Sequence, residues 1–124
     1  MIIKESAENY LESILMLKSK NGFVRSIDIA NDLSVSKPSV SVAMKNFREE
    51  GYITVDPDGY IDLTDKGLEI ARRVYERHEI IAKVLMSLGV SRETALDDSC
   101  KIEHVISEES FLKIKDFLNK SNNE

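Results

Sequence analysis

Two short helix patterns joined by a tight turn, a β-prone hairpin directly behind them, and three further helical patterns with no strand between them predict a mainly α chain. Residues 1–63 read as an N-terminal winged helix-turn-helix and residues 64–124 as an all-helical domain.

The first helix is expected from Ala7 to Lys20, where Tyr10, Leu11, Ile14, Leu15 and Met16 recur at near-helical spacing before the stop signal Asn21-Gly22. Ser26 is expected to cap a second, short helix with Ile29, Ala30 and Leu33 inward. After Ser34-Val35, Ser36 caps a third helix, whose first turn tolerates Pro38 because no intrahelical donor is needed there. Val40, Ala43, Met44 and Phe47 make its buried stripe, and Gly51 ends it. Its other face shows Pro38, Val42, Lys45 and Glu49, flanked by Ser39, Ser41 and Asn46.

"YITV" and "YIDL" flank the turn sequence Asp56-Pro57-Asp58-Gly59, so Tyr52 to Leu63 reads as a hairpin with an acidic tip, ill suited to holding phosphate. Thr64 caps a long helix with the stripe Leu68, Ala71, Tyr75, His78, Ala82 and Leu85, ending at Gly89. Ser91 opens a fifth helix and Ser107 a sixth. In the sixth, Phe111, Leu112, Ile114, Phe117 and Leu118 are too many apolar residues to hide on one small domain, and a homodimer is expected from them. Only Lys120 to Glu124 read as disordered.

The composition, 42% hydrophobic and 31% charged, is that of a soluble globular protein. No apolar run approaches the roughly 18 residues that span a bilayer, and "MIIKESAENY" has no signal-peptide core, so a cytoplasmic location is expected. The net charge is −5, yet residues 36 to 48 carry Lys37, Lys45 and Arg48 and no acid. The acidic average therefore leaves a basic nucleic-acid face open.

The chain has one cysteine and two histidines. Cys100 has no partner for an internal disulfide and reads as a core residue, a reactive thiol or a metal ligand. Cys100, Glu103 and His104 stand at i, i+3 and i+4, on one helix face, within reach of one ion. Thiolate, carboxylate and imidazole together suit a divalent transition metal; calcium or magnesium would not select sulfur. The alternative is a core cysteine beside a solvated glutamate and an incidental histidine. His78 stands where the long helix would carry leucine, and a buried imidazole needs a hydrogen-bond partner or a metal. Glu12, one turn after Glu8 and Asn9, adds oxygen donors on the first helix or belongs to a solvated face.

Over nearly its whole length the chain resembles the metal-dependent repressors typified by the diphtheria toxin repressor and its manganese-responsive relatives. The likeness runs through "SAENYLESILML", "SIDIANDLSVSKPSVSVAMKNFREEGYI", "LTDKGLEIARRVYERHEII" and "CKIEHVISEES", the last two being the more specific. It implies His78, Cys100, Glu103 and His104 as metal ligands, with Asn9 and Glu12 supplied by the first helix. The cysteine is similar to the iron-responsive branch, while Glu12 and the short chain, with no SH3-like domain, are similar to the manganese-responsive branch. Ala82 and Leu96 stand where the iron branch has the carboxylate and histidine of an ancillary site.

The function implied is a homodimeric repressor, activated by Mn2+ or Fe2+ (with Zn2+, Co2+ or Ni2+ able to substitute in vitro), that binds double-stranded operator DNA in metal homeostasis. Lys37, Lys45 and Arg48 would meet phosphates, and Ser39, Ser41 and Val42 base edges, Val42 suiting a thymine methyl. Two other readings compete: a winged-helix interaction module with a degenerate metal site, and a small metalloenzyme, for which the sequence offers no clear nucleophile and no catalytic residue.

Overall fold

The computed structural model describes residues 5–122. The chain runs α1 (Glu5–Asn21), α2 (Ser26–Leu33), α3 (Lys37–Glu49), β1 (Ile53–Val55), β2 (Ile61–Leu63), α4 (Asp65–Ser87), α5 (Arg92–Val105) and α6 (Glu108–Asn122). Its contacts divide it into two compact units, one up to Arg72 and one from Arg73, so that the dividing line falls within α4.

In the first unit, α1, α2, α3 and the hairpin enclose one core of Leu11, Ile14, Val24, Ile29, Val40, Met44, Phe47, Tyr52, Ile53 and Ile61. The ring of Phe47 meets Tyr10 and Tyr52 edge-on, with centroids 6.0 and 6.2 Å apart. Ala43, expected in the buried stripe of α3, only borders this core. The turn between α2 and α3 closes through Ser34, which adopts the left-handed conformation at φ 54°. Ser36 caps α3 as expected, its hydroxyl accepting from the Ser39 N–H at 3.2 Å. Ser26 does not cap α2. Arg25 holds the cap position, and Asp28 reaches back to accept its N–H at 2.9 Å, so the carboxylate closes the first turn in place of a serine hydroxyl.

The wing is a two-stranded antiparallel pair with Ile53 opposite Leu63 and Val55 opposite Ile61. Asp56 organises its tip: one carboxylate oxygen accepts from the N–H groups of Asp58 and Tyr60 at 2.9 and 2.8 Å. The hairpin is tied to the start of α4 by Thr64, whose hydroxyl donates to Gly51 O at 2.7 Å and accepts from Gly67 N–H at 3.2 Å. Gly67 is required there, because a Cβ would meet Tyr52 O at 2.1 Å.

In the second unit, Ser91 and Ser107 cap α5 and α6, accepting from Thr94 N–H at 3.3 Å and Ser110 N–H at 3.1 Å. The buried residues of α4 include Val74 and Ile81 as well as the expected Ala71 and Ala82, whereas Leu68, Tyr75 and Leu85 are only half-buried. Of the expected apolar residues of α6, Phe111 and Leu118 are buried, Ile114 is half-buried, and Leu112 and Phe117 are exposed. Residues 120–122, expected to be disordered, continue α6, since Lys120 suits the negative end of the helix dipole; residues 123–124 lie outside the described residues. Among the described residues no helix is long and apolar enough to cross a membrane.

Candidate functional site

α5 follows from its two ends. Ser91 starts it, and its C-terminal turn carries Glu103 and His104 toward α4. His78 Nδ1 lies 2.9 Å from Glu103 Oε2 and 3.7 Å from Cys100 Sγ, and the candidate ligand atoms of these three residues all lie within 4.8 Å of one another. His104 joins through the other carboxylate oxygen, its Nε2 standing 3.3 Å from Glu103 Oε1.

Glu103 is only 1% exposed. A carboxylate taken out of water needs a cation or a full set of donors, and Oε1 is buried without a hydrogen bond. In this geometry the countercharge comes from His78. Its hydrogen-bonded partners, Cys100 first and then Glu103, raise its pKa from 6.5 to about 10 against the opposing effect of burial. The site therefore gathers sulfur, nitrogen and oxygen donors around a buried anion whose second oxygen has the His104 ring at 3.3 Å but no hydrogen bond. That set fits a divalent transition ion, with His78, Cys100, Glu103 and His104 as the residues to hold it. Cys100 is exposed, which removes its reading as a core residue.

Ser99 was not legible as part of the site. It is fully buried, gives its hydroxyl proton to Leu96 O at 3.0 Å and turns its oxygen toward His78 Nδ1, also at 3.0 Å. The available signal was its place four residues before Glu103, on the same face of α5. Asn9 and Glu12 belong to the first unit, where Glu12 is buried and Asn9 half-buried.

The second candidate surface is the outer face of α3. Lys37, Ser39, Ser41, Val42, Lys45 and Arg48 are all exposed, Val42 at 61%. The hydroxyls of Ser39 and Ser36 lie 2.8 Å apart, so Ser39 is engaged in the cap while Ser41 points free of it. A shallow notch of about 180 Å3, lined by Ser26, Ser41, Met44, Lys45, Arg48 and Val55, brings the start of α2 and the wing alongside this face.

Residues 3–61 match the family model described as iron dependent repressor, N-terminal DNA binding domain, and residues 64–123 the one described as iron dependent repressor, metal binding and dimerisation domain. The chain belongs to the iron-dependent repressor family. It is 32% identical to an uncharacterised HTH-type transcriptional regulator of Methanocaldococcus jannaschii, over 95% of this chain and 96% of that one. It is 34% identical to the HTH-type transcriptional regulator MntR of Bacillus subtilis, over 91% of this chain and 80% of the relative. Among solved structures, that of the manganese regulator SloR superimposes with a TM-score of 0.79 at 28% identity, over 96% of this chain and 55% of SloR. The chain is accordingly a metal-dependent transcriptional regulator with a DNA-binding part and a metal-binding, dimerisation part.

Proposed function

We propose that the protein is a homodimeric, cytoplasmic repressor that binds operator DNA when Mn2+ or Fe2+ is held by His78, Cys100, Glu103 and His104, and so adjusts gene expression to metal supply. In this reading residues 1–63 bind DNA, residues 64–124 bind metal and dimerise, and the chain is a regulator, not an enzyme. The observation that carries it is the convergence of His78 and Cys100 on Glu103, a buried carboxylate whose second oxygen has no hydrogen bond. When bound, a divalent ion supplies a double positive charge that thiolate, imidazole and carboxylate can share.

The chain's own residues do the rest. To serve as a ligand, His78 would lose its Nδ1 proton to solvent, and Glu103, which now faces that ring, would share the charge of the ion instead. Exposed Lys37, Lys45 and Arg48 neutralise backbone phosphates, while Ser39, Ser41 and Val42 face base edges. In a dimer, two α3 helices would enter successive major grooves about 34 to 36 Å apart. Asn9 and Glu12 are carried in this proposal on the sequence resemblance alone.

The test is a set of DNA-binding titrations on one purified sample with Mn2+, Fe2+ and Zn2+, at a single salt concentration because phosphate contacts make affinity salt-dependent. Tight binding with an ion and weak binding with chelator supports the reading. Equal binding in both conditions contradicts it.

A further inference from the structure

Next to His78 in sequence, Arg77 reaches the same turn of α5 by a different route. Its Nη1 donates to the carbonyls of Glu103 at 3.3 Å and Ile106 at 2.9 Å, and its Nη2 to Glu108 Oε2 at 2.8 Å. The guanidinium lies 5.3 Å from the centre of the buried Phe111 ring, and the side chain is only 13% exposed. Its Nε is buried with no hydrogen-bond partner, a cost that a surface ion pair would not incur.

The last carbonyls of a helix have no intrahelical donor and carry the negative end of its dipole. A forked, always-charged donor satisfies both at once, and lysine could not reproduce the geometry. Here the fork closes on the turn that carries Glu103 and His104, and its other branch fastens the start of α6. None of these bonds uses an atom that would touch an ion: Arg77 holds the backbone of Glu103, while His78 faces its carboxylate. The clamp therefore takes no atom from the candidate ligand set.

We propose that Arg77 is a positioning residue of the metal centre, fixing the register of α5 against α4 so that Glu103 and His104 are presented to the ion before it arrives. This inference rests on the metal reading given above. Residues that orient metal ligands through such outer contacts change affinity by about tenfold or more when removed.

The test uses the full chain with Co2+ as probe, read by the thiolate-to-cobalt charge-transfer absorption of Cys100. Arg77→Met is expected to weaken Co2+ binding about tenfold with the band unchanged in shape at saturation, since the ligand atoms are intact. Arg77→Lys and Glu108→Gln weaken it less, in the same direction, and serve if Arg77→Met does not fold. Lys115→Met is the control: it breaks the exposed ion pair from α6 to Glu76 of α4, at 2.7 Å, and leaves Co2+ affinity unchanged. Unchanged affinity in the folded Arg77 and Glu108 variants overturns the positioning role alone, as does an equal loss in Lys115→Met. Absence of any Co2+ binding to the unsubstituted protein, followed by calorimetry, overturns the metal reading and this role together.

Discussion

His78 Nδ1 and Glu103 Oε2 meet at 2.9 Å, joining α4 to α5 by a bond between an imidazolium and a buried carboxylate. The His78 pKa, raised from 6.5 to about 10 by its bonds to Cys100 and then Glu103, makes this bond pH-dependent. Because the folded value lies above the unfolded one, the stabilisation is complete below pH 6.5 and is lost as pH rises toward about 10. The ion-free protein is expected to show a falling melting temperature across that window, and His78→Gln a flatter profile. Identical profiles would place the pH dependence elsewhere.

The same proton opposes metal uptake. An imidazole must be neutral to ligate, so Co2+ binding is expected to strengthen from pH 6 to pH 8 and to release protons into a weakly buffered solution. Calorimetry in buffers of different ionisation enthalpy counts those protons. No release would mean that His78 keeps its proton and stands outside the coordination shell.

Cys100 is expected to set the ion preference. A thiolate favours Fe2+, Co2+ or Zn2+ over Mn2+, which lies at the weak end of the divalent series. Cys100→Glu should shift activation of DNA binding toward Mn2+, and Cys100→Ala should weaken it with all softer ions. Since the side chain is exposed, alanine is expected to change stability by no more than about 0.5 kcal/mol. Unchanged metal preference in the glutamate variant would remove Cys100 from the centre.

On the DNA face, Lys45→Ala is expected to weaken binding to all sequences by a similar factor and to reduce the salt slope by about one, whereas Val42→Ala alters preference at an A·T position. Altered sequence preference in Lys45→Ala with the salt slope intact would reverse the two assignments.

For the dimer, exposed Leu112 and Phe117 on α6 are the apolar residues that a second copy would cover. Phe117→Ser should shift the sedimentation equilibrium toward monomer while leaving the helical signal of circular dichroism in place. A dimer of undiminished strength in the double variant Leu112→Ser, Phe117→Ser would put the interface on another surface.

The wing and the outer face of α3 were legible because local signals decide them. Asp56 to Gly59 dictates the turn, and the spacing of Val40, Met44 and Phe47 dictates which side of α3 is buried. The i, i+3, i+4 spacing likewise set Cys100, Glu103 and His104 on one helix. What spacing could not convey is which turn of α4 stands opposite them. Ser99 and Arg77 become visible only once that pairing is known, since a small serine and an arginine inside "ERHE" have no periodic signature of their own. The cap of α2 was misplaced for a related reason: serine was the better cap by preference, but Asp28 supplied the closing carboxylate from within the helix.

In the proposed function, the ion at Glu103 and the DNA at α3 share one free energy of coupling. Reciprocity requires that the factor by which Co2+ tightens DNA binding equal the factor by which DNA tightens Co2+ binding, on the order of 5- to 150-fold for couplings of this kind. Both affinities should be measured at one salt concentration for the unsubstituted protein and for Glu103→Gln. Equal, large factors are expected in the first and a factor near one in the second. A DNA affinity indifferent to Co2+, or full coupling retained in Glu103→Gln, would contradict the proposed function.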